Sequence, residues 1–279
     1  MTKVLTSNFR HFSHFELKNF MERLTIVKVG GKVVEEKESL DLLLNQFAQI
    51  RGKRILVHGG GRLATTLSEK LGIETQMVEG RRITDEATLE VVTMVYAGLV
   101  NKNIVAGLQA RGCNSIGLTG ADLNLIKAKK RPVKDIDYGF VGDIMGVSTS
   151  ELRLLLNEEV VPVIAPITHD TRGQLLNTNA DTIAADLAIE LSNYFTVNLF
   201  YCFEKKGVLL NAEDENSVIS ELSYDRFKQL QSDGVIKEGM IPKLDNGFNA
   251  MRNGVSQILI TNPNLISMAR GTRLSLKED

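Results

Sequence analysis

The sequence predicts an α/β fold in which helices cover both faces of a mainly parallel sheet. Short apolar runs typical of buried strands recur at residues 24–29, 54–58, 160–165, 197–203 and 257–261. Helix-like stretches, such as residues 39–49, 61–71 and 180–191, separate these runs. Alternating strands and helices are typical of parallel sheets covered on both faces. Glycine-rich turns follow the first two runs, and ligands bind such sheets at the carboxyl ends of the strands.

Composition indicates a soluble protein with a large core. The chain has 279 residues, 43% of them hydrophobic and 24% charged, with a net charge of −1, which argues against a nucleic-acid-binding protein. No apolar run reaches about 18 residues and no secretory signal is evident, so we expect no transmembrane helix and a cytoplasmic location. Cys113 and Cys202 lack a CxxC partner and are expected to be buried free thiols.

The N-terminal segment, residues 1–23, carries phenylalanines at the spacing of an imperfect amphipathic helix. Such a helix needs an apolar surface to cover. The sequence leaves two interpretations open: packing on the same subunit, or contact with another subunit.

Two strand ends share one arrangement of polar residue and glycines. Lys28 precedes Gly30 and Gly31, and His58 precedes three glycines at residues 59–61. Glycine permits positive φ and lets backbone N–H groups approach an anion at a helix start. Neither cluster matches a P-loop or the GxGxxG dinucleotide motif. A single glycine run is often only a tight turn, but two at equivalent strand ends predict an anion site.

A long helix is predicted over residues 85–111, with Thr84 as its N-cap. One apolar stripe on it comprises Leu89, Val92, Tyr96 and Leu99. A helix this apolar could serve a subunit interface as well as a core. Arg82, just ahead of it, is either a clamp for a carboxylate or a solvated side chain. Further on, the basic residues 127–134 are predicted to form a hairpin with residues 138–147 and to present a solvated face.

Residues 177–181 join a strand to the helix at 180–191, where Asn and Asp side chains can cap free N–H groups. Downstream, Lys243 lies near the first turn of another helix, where its charge opposes the helix dipole and favours a nearby anion. Asp181 between Lys28 and Lys243 could hold both ammonium groups around one phosphate. Phosphoryl transfer requires mainly such positioning and charge neutralisation. No metal-ligand cluster or Ser-His-Asp order is evident.

Together these motifs resemble the amino-acid kinase family, and within it the members that act on an N-acylglutamate. The matching segments are residues 28–31, 58–61, 80–84, 177–181 and 239–243, in the family's order over about residues 24–275. The resemblance implies an open αβα sandwich with an N-terminal extension at 1–23, an acyl-amino-acid lobe with the dimer interface at 24–191, and an ATP lobe at 192–279. It implies phosphorylation of the γ-carboxylate of N-acetylglutamate by ATP, a step of arginine biosynthesis.

The resemblance also implies a role for each matching residue. Lys28 and Lys243 would stabilise the transferring phosphoryl group, and Asp181 would hold both lysines. Substrate would be bound by Gly60, Gly61, Arg82, Asn177 and Asn179. The nucleotide would be bordered by Gly30, Gly31, Glu204, Gly207, Leu209, Val235, Lys237, Gly239 and Met240. Mg²⁺ would be held mainly by the phosphates of ATP.

The chain departs from the family pattern in two places. Residues 120–122 read Gly-Ala-Asp where relatives often have Gly-Lys-Asp, and residues 203–205 read Phe-Glu-Lys in the nucleotide turn. The alternatives are a kinase for another N-acylglutamate, such as N-succinylglutamate, and a non-catalytic nucleotide- or amino-acid-sensing protein. A homodimer is favoured, although residues 1–23 resemble a helix that joins dimers into arginine-inhibited hexamers.

Overall fold

The structure, a computed structural model, describes residues 21–78, 81–237 and 239–277. The strands are β1 (Arg23–Val29), β2 (Lys53–His58), β3 (Met77–Val78), β4 (Arg81–Arg82), β5 (Ser115–Leu118), β6 (Ile126–Lys130), β7 (Gly142–Val147), β8 (Val161–Ile164), β9 (Ile167–His169), β10 (Leu175–Asn177), β11 (Thr196–Cys202), β12 (Glu221–Ser223), β13 (Gln257–Thr261) and β14 (Thr272–Ser275). The helix predicted over residues 1–23 lies, for residues 1–20, outside the described residues, and Arg23 already belongs to β1.

The main sheet has eight strands in the order β12-β14-β13-β11-β1-β2-β8-β5. From β13 to β5 every neighbouring pair is parallel, and β13 pairs with β14 antiparallel. The predicted mainly parallel sheet is therefore confirmed. Because β11 pairs directly with β1, the sheet is continuous across residue 191. The boundary between an acyl-amino-acid lobe and an ATP lobe at that residue stays a prediction.

Helices cover both faces of the sheet, as predicted. On one face lie α1 (Gly31–Glu35), α2 (Lys37–Ala48), α3 (Gly61–Lys70) and α4 (Glu86–Gln109); on the other lie α5 (Thr149–Asn157), α6 (Ala180–Leu191), α7 (Tyr224–Ser232) and α8 (Ile241–Arg252). Strand β1 serves both cores, with Leu24 and Ile26 packed on one side and Val27 and Val29 on the other. That alternation is the period of a strand. The fold is an open αβα sandwich.

A smaller sheet, β10-β9-β6-β7, lies beside the main one, with a β3–β4 hairpin nearby. Its β6–β7 pair is the hairpin predicted from the basic segment. Strands β9, β10 and β14 were not predicted, because runs of three or four residues carry too little periodicity to identify. The two cysteines are free and buried, as expected.

Helix α4 differs from its prediction at its start. The N-cap is Asp85, whose carboxylate accepts a hydrogen bond from the backbone N–H of Thr88 at 2.8 Å. Thr84 is not the cap. It is fully buried and forms a β-bridge with Gly139. The positive end of the helix dipole also stabilises a carboxylate at this position. Both effects favour Asp85 over Thr84 as the N-cap.

The middle of α4 also differs. Residues Met94–Val100 form a π-helix, whose wider turn rotates the apolar stripe relative to a 3.6-residue period. Leu99, predicted on the buried stripe, is therefore 55% exposed, while Ile104 is fully buried. By length and composition alone, α4 is apolar enough to cross a membrane, and 44% of its most apolar stretch is buried in the protein. Core helices of soluble proteins have the same composition.

Candidate active site

The two glycine turns face each other at one edge of the sheet. Strands β1 and β2 are parallel neighbours, so residues 30–31 and 59–61 follow them at the same edge. A methyl group placed on Gly31 would lie 3.6 Å from the nitrogen of Gly61 and 3.7 Å from that of Gly60. Within the described residues, the N–H groups of Gly31, Gly60 and Gly61 have no hydrogen-bond acceptor. Such free, converging donors suit an anion.

Beside these turns, two lysines converge on one carboxylate. Lys28 of β1 and Asp181 of α6 are both buried, and Lys28 Nζ lies 2.7 Å from Asp181 Oδ1. Lys243 of α8 brings its Nζ to 3.4 Å from Asp181 Oδ2 and donates to the carbonyl oxygen of Gly239 at 3.0 Å. The arrangement expected from the sequence is present, while the catalytic roles of the three residues stay predictions.

The charge balance of this cluster is positive. Burial by itself would raise the pKa of Asp181, but Coulomb attraction and hydrogen bonds from Lys28 and Lys243 outweigh it and hold the pKa below its ordinary value. Asp181 is therefore ionised at neutral pH. Two ammonium groups around one carboxylate leave one positive charge for an additional anion.

Asn179 caps the helix that carries Asp181. Its side-chain oxygen accepts hydrogen bonds from the N–H groups of Asp181 at 2.8 Å and Thr182 at 3.2 Å. This cap aligns the first turn of α6, and with it the carboxylate that both lysines contact. The side-chain NH₂ group of Asn179 is left for the adjoining cavity.

The five predicted substrate residues line one cavity of about 230 Å³, namely Gly60, Gly61, Arg82, Asn177 and Asn179. Arg82 is 8% exposed, and its guanidinium donates to Gly61 O and Thr65 Oγ1, both at 2.8 Å, and to Thr75 Oγ1 at 3.2 Å. The solvated interpretation of Arg82 is therefore wrong. Asn177 Nδ2 donates to Thr84 Oγ1 at 3.0 Å, so its carbonyl oxygen can accept from a ligand.

Two further arginines line this cavity and were not predicted to do so, Arg81 and Arg131. Arg131 belongs to the basic segment expected to be solvated. That expectation is wrong for this residue because its Nε and Nη2 bind Asp143 Oδ1 at 3.0 and 2.6 Å. Its Nη1 is buried without a hydrogen-bond partner in the described part of the chain. The composition of the basic segment is the same whether Arg131 points to solvent or to the cavity. The sequence therefore contains no signal for its position.

The predicted nucleotide residues fall into two groups. Near the first glycine turn, Gly30 N–H donates to the carbonyl of Cys202 at 2.9 Å, and Glu204 Oε1 lies 3.9 Å from Lys32 Nζ. Gly239 and Met240 lie at the start of α8, one turn before Lys243.

The second group lies in loops of the C-terminal part. Gly207 packs so closely on Thr272 that a methyl group would lie 2.6 Å from Thr272 Oγ1, and Leu209 forms a bridge with Val218. Val235 and Lys237 lie in the loop between α7 and α8. The nucleotide-binding roles of both groups stay predictions.

His58 lies under the second glycine turn and is fully buried. Its Nδ1–H donates to the carbonyl oxygen of Gly59 at 2.8 Å, and its Nε2 accepts from Asn101 Nδ2 at 3.1 Å. Burial lowers the pKa of His58 to about 4; the bond to Gly59 raises it and the charge of Lys28 lowers it further. The imidazole is therefore neutral at pH 7.

This pKa predicts a stability change in mild acid. Because the folded-state pKa is depressed, the stabilising contribution of His58 is complete above its unfolded pKa of 6.5 and is lost as pH falls toward about 4. The loss should approach about 3 kcal/mol. Urea unfolding between pH 7 and pH 4.5 measures it. His58→Gln, which does not titrate, should show a flatter pH dependence, and equal slopes for both proteins would contradict the assignment.

Comparison with known proteins gives concordant similarities. A sequence profile described as the amino acid kinase family matches residues 23–262. A Bacteroides thetaiotaomicron protein named acetylglutamate kinase is 59% identical over 253 residues, covering 91% of this chain and 98% of that protein.

Solved structures agree with this similarity. A Streptococcus mutans structure superposes with a TM-score of 0.76 at 26% identity, covering 91% of this chain and 99% of that one. Carbamate kinase from Giardia lamblia bound to AMP-PNP, at 12% identity, shares the fold with a TM-score of 0.64, covering 91% and 98% of the two chains.

Proposed function

Because this chain belongs to the amino acid kinase family and is a kinase, we propose that it transfers the γ-phosphoryl group of ATP to the γ-carboxylate of N-acetylglutamate, in arginine biosynthesis. The observation that carries the proposal is the pair Lys28 and Lys243 on Asp181, next to a cavity lined by Arg82 and Asn177. Relatives with more than half of their residues identical bear the name acetylglutamate kinase.

In this proposal the substrate supplies its own nucleophile. A γ-carboxylate is ionised at pH 7, so no general base is required. It lies against the free N–H groups of Gly31, Gly60 and Gly61, while Arg82 binds the α-carboxylate and the Asn177 carbonyl accepts the acylamide N–H. A carboxylate oxygen attacks the γ-phosphorus, the bond to the β,γ-bridging oxygen breaks, and ADP leaves with that electron pair.

The lysines neutralise the charge that spreads over the transferring group. Lys28 and Lys243 approach it from different elements, and Asp181 keeps both ammonium groups in place. Mg²⁺ would be held mainly by the ATP phosphates. The nucleotide is bordered by Gly30, Gly31, Glu204, Gly207, Leu209, Val235, Lys237, Gly239 and Met240.

Trapping the product tests the reaction directly. The purified protein with MgATP and N-acetylglutamate should form ADP and an acyl phosphate that hydroxylamine converts to a hydroxamate. Free glutamate should react poorly, because its α-ammonium group would bring a positive charge into a cavity lined by Arg81, Arg82 and Arg131. Nucleotide binding without any hydroxamate would instead favour the non-catalytic sensing protein.

A second candidate substrate is N-succinylglutamate, and Arg131 is the observation that favours it. Three arginines line the cavity, Arg81, Arg82 and Arg131. The α-carboxylate requires one of them. A succinyl group ends in a second carboxylate, which a further arginine of the cavity lining, Arg131, suits in charge.

Arg131→Met should separate the two substrates. If Arg131 binds the carboxylate of the succinyl group, kcat/KM for N-succinylglutamate should fall about 10- to 100-fold, the scale of a lost charged hydrogen bond. The kcat/KM for N-acetylglutamate should change little. Steady-state kinetics with both substrates measures this. The matched control is Arg172→Met, since the Arg172 side chain is 86% exposed. An equal loss with both substrates would argue against succinyl recognition by Arg131.

We further propose a cytoplasmic homodimer. Helix α4 exposes Met94 and Leu99, at 53% and 55%, and apolar side chains exposed on one core helix support a subunit contact there. Sedimentation equilibrium should give twice the chain mass, and six times that mass would indicate the hexamer.

A further inference from the structure

Glu35 reaches from the first glycine turn to the second. It is the last residue of α1, the short helix that follows Gly30. Its Oε1 accepts hydrogen bonds from the backbone N–H groups of Arg62 at 3.0 Å and Leu63 at 3.2 Å. The Glu35 side chain is only 11% exposed. One carboxylate therefore ties the end of α1 to the start of α3.

The N-cap residue of α3 cannot accept hydrogen bonds from the first N–H groups of the helix through a side chain. That position is Gly60, which has no side chain. A methyl group there would lie 3.1 and 3.3 Å from carbons of the Tyr96 ring, and its φ of +156° is unfavourable for other residues. The usual capping residues, Ser, Thr, Asp and Asn, are thus excluded. The free N–H groups of α3 need an acceptor from another element, and Glu35 provides it.

The bonds to Glu35 also determine which N–H groups stay free. Arg62 and Leu63 are capped, whereas Gly60 and Gly61 are not. A methyl group placed on Gly31 would lie within 4 Å of the nitrogens of Gly60 and Gly61, so the two turns are close together. Each glycine turn lies beyond the end of its strand, so pairing within the sheet does not by itself fix the position of one turn relative to the other. The Glu35 bridge closes a short ring of contacts: Gly31, α1, Glu35, α3 and Gly61.

We propose that Glu35 is a positioning residue that sets the two glycine turns against each other, so that their N–H groups converge on the reacting carboxylate and phosphoryl oxygens. This inference rests on the proposed function of the site. We expect the length of the Glu35 side chain, which brings Oε1 to the N–H groups of α3, to be more important than its charge. A negative charge near an anion site does not assist anion binding. Misplacing converging groups by about 1 Å can lower turnover about 100-fold.

Two substitutions separate reach from charge. Glu35→Asp keeps the charge but shortens the side chain by one methylene, whereas Glu35→Gln keeps the reach and an acceptor oxygen without the charge. We expect kcat of the Asp variant to fall about 10- to 100-fold with KM for ATP little changed, and kcat of the Gln variant to stay within about threefold. The Gln variant has the full reach of Glu35 but no charge. A native-like kcat of this variant beside a low kcat of the Asp variant would therefore assign the loss to the shorter side chain.

The control is Arg62→Ala. It removes only the 3.5 Å contact between Arg62 Nε and Glu35 Oε2, made by a side chain that is 72% exposed, and keeps the backbone N–H. Its kcat should match the native protein. Equal kcat values for the Asp and Gln variants, or a lower value for Gln, would overturn the proposal.

Hydrogen exchange provides a readout that does not depend on activity. The amides of residues 62–63 should exchange faster in the Asp variant than in the native protein or the Gln variant. Unchanged exchange in the Asp variant would also overturn the proposal. If the native protein forms no acyl phosphate, the proposed function fails, whereas the exchange pattern still decides whether Glu35 holds the two turns together.

Discussion

Replacing Lys243 by alanine should lower kcat about 100-fold while the protein stays folded. Its ammonium group is 3.4 Å from Asp181 and its side chain is 24% exposed, so its loss leaves little buried charge unpaired. One preorganised donor aimed at developing charge contributes roughly 3 kcal/mol to the transition state. Lys28→Ala should reduce kcat on the same scale. Turnover at saturating ATP and N-acetylglutamate measures both effects.

A matched control exists on the neighbouring helix. Lys228 pairs with Asp245 at 3.2 Å and is 42% exposed, so Lys228→Ala removes a lysine ion pair without touching the site. Its kcat should equal that of the native protein. If Lys243→Ala and Lys28→Ala also turned over at nearly the native rate, the two lysines would have no part in phosphoryl transfer.

Asp181→Asn should reduce the free energy of unfolding by about 3–5 kcal/mol, the usual cost of removing one partner from a buried ion pair. Lys28 is buried against this carboxylate at 2.7 Å, and the neutral amide leaves its charge uncompensated. Lys28 and Lys243 would then also repel each other, so kcat should fall as well. The urea midpoint of unfolding at pH 7 measures the stability change.

The comparison is Asp245→Asn, which breaks an ion pair whose carboxylate is 45% exposed. Exposed pairs contribute at most about 1 kcal/mol, so this variant should unfold close to the native midpoint. An Asp181→Asn protein as stable as Asp245→Asn would show that the three-residue cluster is not held together by the buried charge.

Much of the fold and of the candidate site could be predicted because the signals are local. The helix at Ala180–Leu191 was predicted with the bounds it has in the structure, since it has a cap residue and an apolar period of its own. The convergence of Lys28 and Lys243 on Asp181 could be expected because one carboxylate can hold two ammonium groups around a phosphate, and because the motifs that carry these residues resemble those of the amino-acid kinase family.

The predictions for Leu99 and Arg131 failed because neither a change of helix type nor the partner of a side chain has a signal in the local sequence. Leu99 is exposed because a π-helix turns the stripe of α4 outward. Arg131 lines the candidate substrate cavity because Asp143, on the facing strand, holds its guanidinium. Neither feature can be recognised in the local sequence, because the hydrophobic period and the charge of a segment do not indicate its helix type or the partners of its side chains.

The sequence by itself therefore determined the sandwich, the two glycine turns and the residues proposed to carry the chemistry. These depend on periodicity, on glycine and on residue type, which are properties of short segments. Only the tertiary structure decided which N–H groups stay free, which arginines line the cavity and that Glu35 bridges α1 and α3. Those depend on distances between segments far apart in the chain, and such distances are set when the two faces of the sheet are packed.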